Sequence, residues 1–253
     1  QRLFIPQVLP KLGFHPKFPR SIVYAPKHIG GLGITPLHIV ITQQKIQFLL
    51  RHLRQHQALK NAILINLQWA QLQAGRLNSI FTTDDRIDYI ENAWVIQLHN
   101  ALKYMSGKLL IDDLTSGKLL RENDQYLMNA WDAQQLTTKT LCTLNMCRMY
   151  LRVKRLSDIT TNDGHTIQQC YMNGTQINPF THTKWSRQQK PNQQAWKQWK
   201  TALLHTFYKG SQLRNPLGTW LCTPKNIKLQ YIPSKKCIQY HSGEKIQVSP
   251  ALI

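Results

Sequence analysis

Acidic residues are scarce in this chain: 12 Asp+Glu stand against 32 Lys+Arg, for a formal net charge of +20 over 253 residues. The first 83 positions contain no acid at all. No apolar run approaches the ~18 residues of a membrane-spanning helix, so the sequence predicts no membrane partner of that kind. The five cysteines (142, 147, 170, 222 and 237) are few and odd in number. That argues against a disulfide framework and for reduced thiols in an intracellular compartment, cytoplasm or nucleus. Glycine and proline number 12 each, which excludes collagen-like and Pro-rich linker classes. The phosphate-loop, dinucleotide-binding, nucleophile-elbow and HExxH zinc motifs are all missing, and no histidine is followed three residues later by arginine. The opening Gln1–Pro6 lacks both Met and a signal-peptide apolar core, and reads as the cut edge of a longer chain.

What is present is enough apolar residue, 42%, to bury a real core in one large domain or two small ones. Charge is unevenly placed. Residues 1–83 carry ten basic and no acidic side chains, 84–135 carry five and nine, and 136–253 carry seventeen and three. Two basic blocks flanking an acidic one attract polyanions, with nucleic acid the first candidate and an acidic protein partner the second.

The spacing predicts a mainly α fold, one or more helical bundles with a small C-terminal antiparallel β hairpin or meander. Residues 1–34 read as irregular because Pro6, Pro10, Pro16, Pro19 and Pro26 recur too often for a helix, with Ser21–Tyr24 as a short strand and Gly30-Gly31-Leu32-Gly33 as a tight loop. Residues 35–156 read as helical. Thr35-Pro36 starts a helix with Ile46, Leu49, Leu50 and Leu53 on one face. A second helix spans about 58–74 and stops at Gly75. A third is capped at Asp84 or Asp85 and carries Ile87, Ile90, Trp94, Leu98, Leu102 and Met105. Leu109–Ile111 suggests a strand, and further helices fall near 122–133 and 138–156. Residues 157–190 are polar and turn-rich, a mobile loop or linker. In 191–253, Pro191 opens a helix with Trp196, Trp199, Leu203 and Phe207, and Ile227–Tyr231 with Cys237–Tyr240 forms the hairpin.

Two basic faces are the candidate binding residues. On the first long helix Gln44, Gln47, Arg51, Arg54 and Gln55 lie opposite the leucine face, with Lys45, His52 and His56 at its edge and Phe48 among them. Such a face suits phosphate contacts with amide and ring contacts to sugars or bases. On the 138–156 helix Arg148, Arg152 and Arg155 follow at i, i+4 and i+7, a line that reaches successive phosphates or, alternatively, pairs with the acids of 84–135. Lys197 and Lys200 are surface candidates on the Trp helix. The Trp196/Trp199 stripe is more often core than a stacking platform.

Catalytic and metal readings are weaker. Leu110-Ile111-Asp112-Asp113 has the outline of a polymerase carboxylate turn with Leu in the aromatic place, and Phe81–Asp85 has one residue too many. Aspartate pairs are common in caps and turns, and no earlier carboxylate exists to complete a two-metal set. Cys142, Cys147, His165 and Cys170 can be written as a zinc set, but residues five apart on a helix diverge. Neither catalytic nor metal-ligating residues are therefore assigned, and a nuclease using Asp112 and Asp113 ranks last.

Four ordered stretches carry a resemblance. They are Leu9–Phe14 with Phe18–Pro26 and Gly30–Ile34; Trp69–Gly75; Cys147–Leu151 with Leu156–Thr160; and Trp185, Trp196-x-x-Trp199 and Pro216–Trp220. Together the chain resembles the region after the palm in retrotransposon reverse-transcriptase reading frames. The resemblance implies an RNA-directed DNA polymerase as parent, with fingers, palm and its Tyr/Phe-x-Asp-Asp motif before Gln1 and Mg²⁺ as the parent's cofactor. It implies a thumb-like bundle at 35–105, a connection beyond it, and a grip on the backbone of an RNA–DNA or DNA duplex by a piece inactive alone.

Overall fold

The computed structural model describes residues 4–55, 57–112, 114, 117–179, 185–186, 188–221, 227–232, 237–242 and 245–250, the last three segments by backbone alone. It divides into two compact units, Gln1–Asn66 with Gln97–Leu109, and Leu67–Ile96 with Leu110–Ile253. The division also sorts charge. The first unit holds eleven Lys+Arg and not one Asp or Glu, whereas the second holds twenty-one Lys+Arg and all twelve acids.

The mainly α architecture expected from the spacing is present. The first helices are α1 (Phe4–Lys11), α2 (Arg20–Tyr24), α3 (Leu37–Gln55), α4 (Gln57–Ala74) and α5 (Ala93–Tyr104), and the boundary between units falls within α4 and α5. Residues 1–34 are thus more regular than expected. Pro6 occupies the first turn of α1, where a backbone N–H has no helical acceptor, and Pro10 removes a single bond near its end. Ser21–Tyr24 is helical, not a strand, because the Pro19 carbonyl accepts from both Ile22 N and Val23 N. Val23 then buries against Ile5 and Leu9, with Phe14, Phe18, Leu32 and Ile34 around them. The Gly-rich loop is a backbone crossing: a Cβ on Gly31 would fall on the carbonyl of Ala25.

The helices α3 and α4 begin within two residues of their expected starts. The third does not. It starts at Ala93, capped by Asn92 Oδ1, which accepts from Val95 N at 3.1 Å. Residues 84–92 are irregular, with Ile87, Tyr89 and Ile90 buried. Tyr89 holds them by donating to the Ala74 carbonyl at 2.7 Å.

The second unit is built on α6 (Leu127–Ala133), α7 (Thr138–Leu151), α8 (Gln169–Met172) and α9 (Gln193–Phe207). α9 packs on α6 and α7. Trp131 and Trp199 are fully buried, edge to face with ring centroids 5.4 Å apart, and Trp199 Nε1 donates to the Tyr171 carbonyl. The core reading of the Trp stripe therefore holds for Trp199, and half-buried Trp196 packs on Tyr150. The expected helix at 122–133 starts only at Leu127, because buried Asp124 binds Leu120 N, Gln125 N and Ser157 instead of a helical turn. Leu110 is 79% exposed and its segment is not a strand.

Residues 157–190, expected as a mobile linker, are anchored over much of their described length. Thr160 bridges Ile167, α8 follows, and Ile159, Ile167, Tyr171 and Met172 are buried. A short hairpin joins β1 (Tyr208–Lys209) to β2 (Gln212–Leu213). The expected C-terminal hairpin is present as β3 (Ile227–Ile232) and β4 (Cys237–Ser242), in register Ile227↔Ser242 to Ile232↔Cys237. A third strand, β5 (Lys245–Pro250), extends it to an antiparallel meander.

Candidate functional site

The face of α3 keeps the composition read from the sequence. Leu49 is buried, while Gln44, Gln47, Arg51 and Arg54 are exposed. Phe48 is 52% exposed and touches His52 of its own helix, ring centroids 4.4 Å apart. Lys45 is the exception, since its ammonium donates to Gln97 Oε1 at 2.6 Å within the same unit. With no carboxylate in that unit, Arg51 and Arg54 have no intra-unit ion pair available. The same helix exposes Leu37 and Ile41 in line with Phe48. Gln55 and His56 have no described side chain.

The second arginine line is not a line. The helix α7 ends at Leu151, and Arg152 adopts a left-handed conformation, φ 60°, as its C-cap. Arg148 is fully buried. Its Nη2 donates to the carbonyls of Leu72 and Gln73 at 2.8 and 2.9 Å, its Nη1 to the Val153 carbonyl at 3.1 Å, and its Nε to Asn145 Oδ1 at 3.0 Å. The Leu72 and Gln73 carbonyls belong to the last turn of α4, where helical acceptors lack partners. Gly75 makes room for this contact: it holds φ 58°, and a Cβ there would stand 2.6 Å from Arg148 Cζ. Burial lowers the Arg148 pKa to about 10. Arg148 is therefore withdrawn from the phosphate-binding set. Arg155 lies beyond the helix, paired with Asp158 at 3.1 Å and bonded to the Lys118 carbonyl at 3.0 Å. Of the three, only Arg152 keeps a half-exposed guanidinium with no partner among the described residues, in the wall of a groove of about 770 Å³ with Tyr150, Trp185 and Lys190.

Two further arginines behave like Arg148, and the sequence reading missed both. Buried Arg76 bonds Tyr89 Oη, the Met128 carbonyl and the Arg86 carbonyl, and pairs with Asp132 at 2.9 Å. Buried Arg121 bonds the carbonyls of Gly218 and Leu217, with its guanidinium 5.3 Å from the Trp220 ring. The expectation that so many cations must find either phosphates or carboxylates omitted main-chain oxygens, which take most of these donors.

Lys197 and Lys200 are exposed on α9, and Lys200 borders a cleft of about 480 Å³ with Thr161 and Tyr208. Asp113 of the carboxylate pair lies outside the described residues, as do the side chains of Cys222 and Cys237. Cys147 is buried and its thiol is pushed up to about 12 by that burial. Among the described residues no group of three His, Cys, Asp or Glu side chains is placed to hold a metal, and no helix is long and apolar enough to cross a membrane. No family model, curated protein or solved structure matches the chain.

Proposed function

We propose that this chain is a nucleic-acid-binding part of a retroelement reverse-transcriptase polypeptide. In this reading it grips the backbone of a template–primer duplex for a polymerase centre carried by other parts of that polypeptide. The carrying observation is the acid-free first unit, with eleven cations and no carboxylate and with Arg51 and Arg54 exposed on α3. A surface that cannot neutralise itself concentrates polyanions and releases their counterions on binding. Lys197 and Lys200 add cations on the second unit, and the ordered sequence resemblance supplies the polymerase context.

Salt-titrated binding to a duplex, a single strand and an acidic polypeptide tests the reading. Each phosphate neutralised on duplex DNA contributes about 0.9 to the log–log salt slope. Arg51→Gln with Arg54→Gln should lower that slope by up to about two, equally on unrelated sequences, because phosphates carry no base identity. A second reading, docking of an acidic protein, is favoured by the exposed Leu37, Ile41 and Phe48 on the same helix. It predicts tighter binding to the polypeptide than to either nucleic acid, and a loss on Phe48→Ala.

A further inference from the structure

A cleft of about 400 Å³ opens within the second unit, walled by Gly75 after α4, by Lys118 and Tyr126, and by Lys154 and Arg155. Four cationic residues from three segments, Arg76, Lys118, Lys154 and Arg155, line this wall, and among the described residues no carboxylate does; Arg76 is spent on Asp132. Asp158 is committed beside it: Oδ2 accepts from Lys154 N and Arg155 N at 2.7 and 3.0 Å, and Oδ1 accepts from Arg155 Nη2. Arg155 Nε is buried with no acceptor among the described residues. Lys154 is half-buried, and its ammonium is held below the usual lysine range by burial first, then by Arg148 and Arg155. Tyr126 contributes a phenol that burial keeps protonated.

Cations converging on one cleft, with an unfilled guanidinium donor and a neutral phenol beside them, make a good oxyanion receptor. We propose that this cleft binds a phosphate group through Lys118, Lys154 and Arg155. The volume exceeds one phosphate, so the ligand is a phosphorylated molecule or a phosphate of a nucleic-acid strand. The site lies wholly in the second unit and does not depend on the α3 arginines.

Lysine acetylation of the full chain, read by mass spectrometry at constant ionic strength, tests it. The probes are inorganic phosphate and one short oligonucleotide with either a 5′-phosphate or a 5′-hydroxyl. A bound phosphate raises the pKa of Lys154, and its labelling slows about tenfold for each unit of that rise. Lys197 and Lys200 on α9 should label at an unchanged rate in inorganic phosphate. Slowing by inorganic phosphate alone supports the site and assigns a small phosphorylated molecule. Slowing by the 5′-phosphorylated strand but not its 5′-hydroxyl form supports it and assigns a terminal phosphate, and equal slowing by both strands assigns backbone phosphates. Lys118→Gln, an exposed position that leaves the core untouched, should weaken the protection of Lys154. An unslowed Lys154, uniform slowing of every lysine, or full protection in Lys118→Gln overturns the proposal. The salt slope of the Arg51/Arg54 variant reads the other proposal separately.

Discussion

The two units use arginine in opposite ways. In the second, Arg76, Arg121 and Arg148 are buried, and their donors are satisfied mainly by carbonyls of loops and helix ends. In the first, Arg51 and Arg54 stand in solvent in a unit that contains no carboxylate. The same residue type therefore acts as a cross-link between backbone segments in one unit and as surface charge in the other. The second unit's net charge overstates what its surface can present to a polyanion.

The largest expected effect is at Arg148. Arg148→Met leaves the carbonyls of Leu72, Gln73 and Val153 without a donor, each at a cost of about 1–3 kcal/mol. Urea unfolding should show a loss of about 3 kcal/mol or more. A variant of unchanged stability would make Arg148 a surface group and erase the contrast. Next is Gly75→Ala, which puts a side chain in the left-handed region and against the Arg148 guanidinium. It should cost about 1–3 kcal/mol by the same measurement.

Alkaline pH sharpens the comparison through the second unit's buried acids. Burial raises Tyr89 from 10.0 to about 12 and Cys147 from 9.0 to about 12. Both folded pKa values lie above the unfolded ones, so their contribution is complete below about pH 9 and is lost as pH rises toward 12. The unfolding free energy should fall by up to about 1.4 kcal/mol per pH unit for each group. Cys147→Ala should flatten the part of that fall that begins near pH 9. The smallest effect is expected at α3, where Arg51→Gln and Arg54→Gln should each alter stability by no more than about 0.5 kcal/mol. A larger loss would mean that these side chains are structural too.

Local signals were legible where one helix face decided the matter. The helices α3, α4 and α9 followed their apolar spacing and their Pro or Gly punctuation closely. The stretch from Asp84 to Asn92 carried the same spacing without a helix, because Ile87 and Ile90 bury in an irregular segment tied down by Tyr89. The exposed half of the candidate site, Arg51, Arg54, Lys197 and Lys200, could be read from the face opposite the core. Arg148 could not, since the contacts that bury it include the Leu72 and Gln73 carbonyls, more than seventy residues away and without side-chain identity. The Lys118, Lys154 and Arg155 cleft was hidden because its walls come from segments far apart in the chain.

The missing carboxylates of the first unit also determine how the molecule comes apart. An endoprotease that cuts at aspartate or glutamate has no site before Asp84, which is exposed, and none in Gln97–Leu109. Limited digestion would therefore sever the chain in the 84–91 stretch and leave both segments of that unit whole. Whether the peptide bearing 97–109 still co-migrates with 1–83 then measures how firmly that unit is held without its covalent connection.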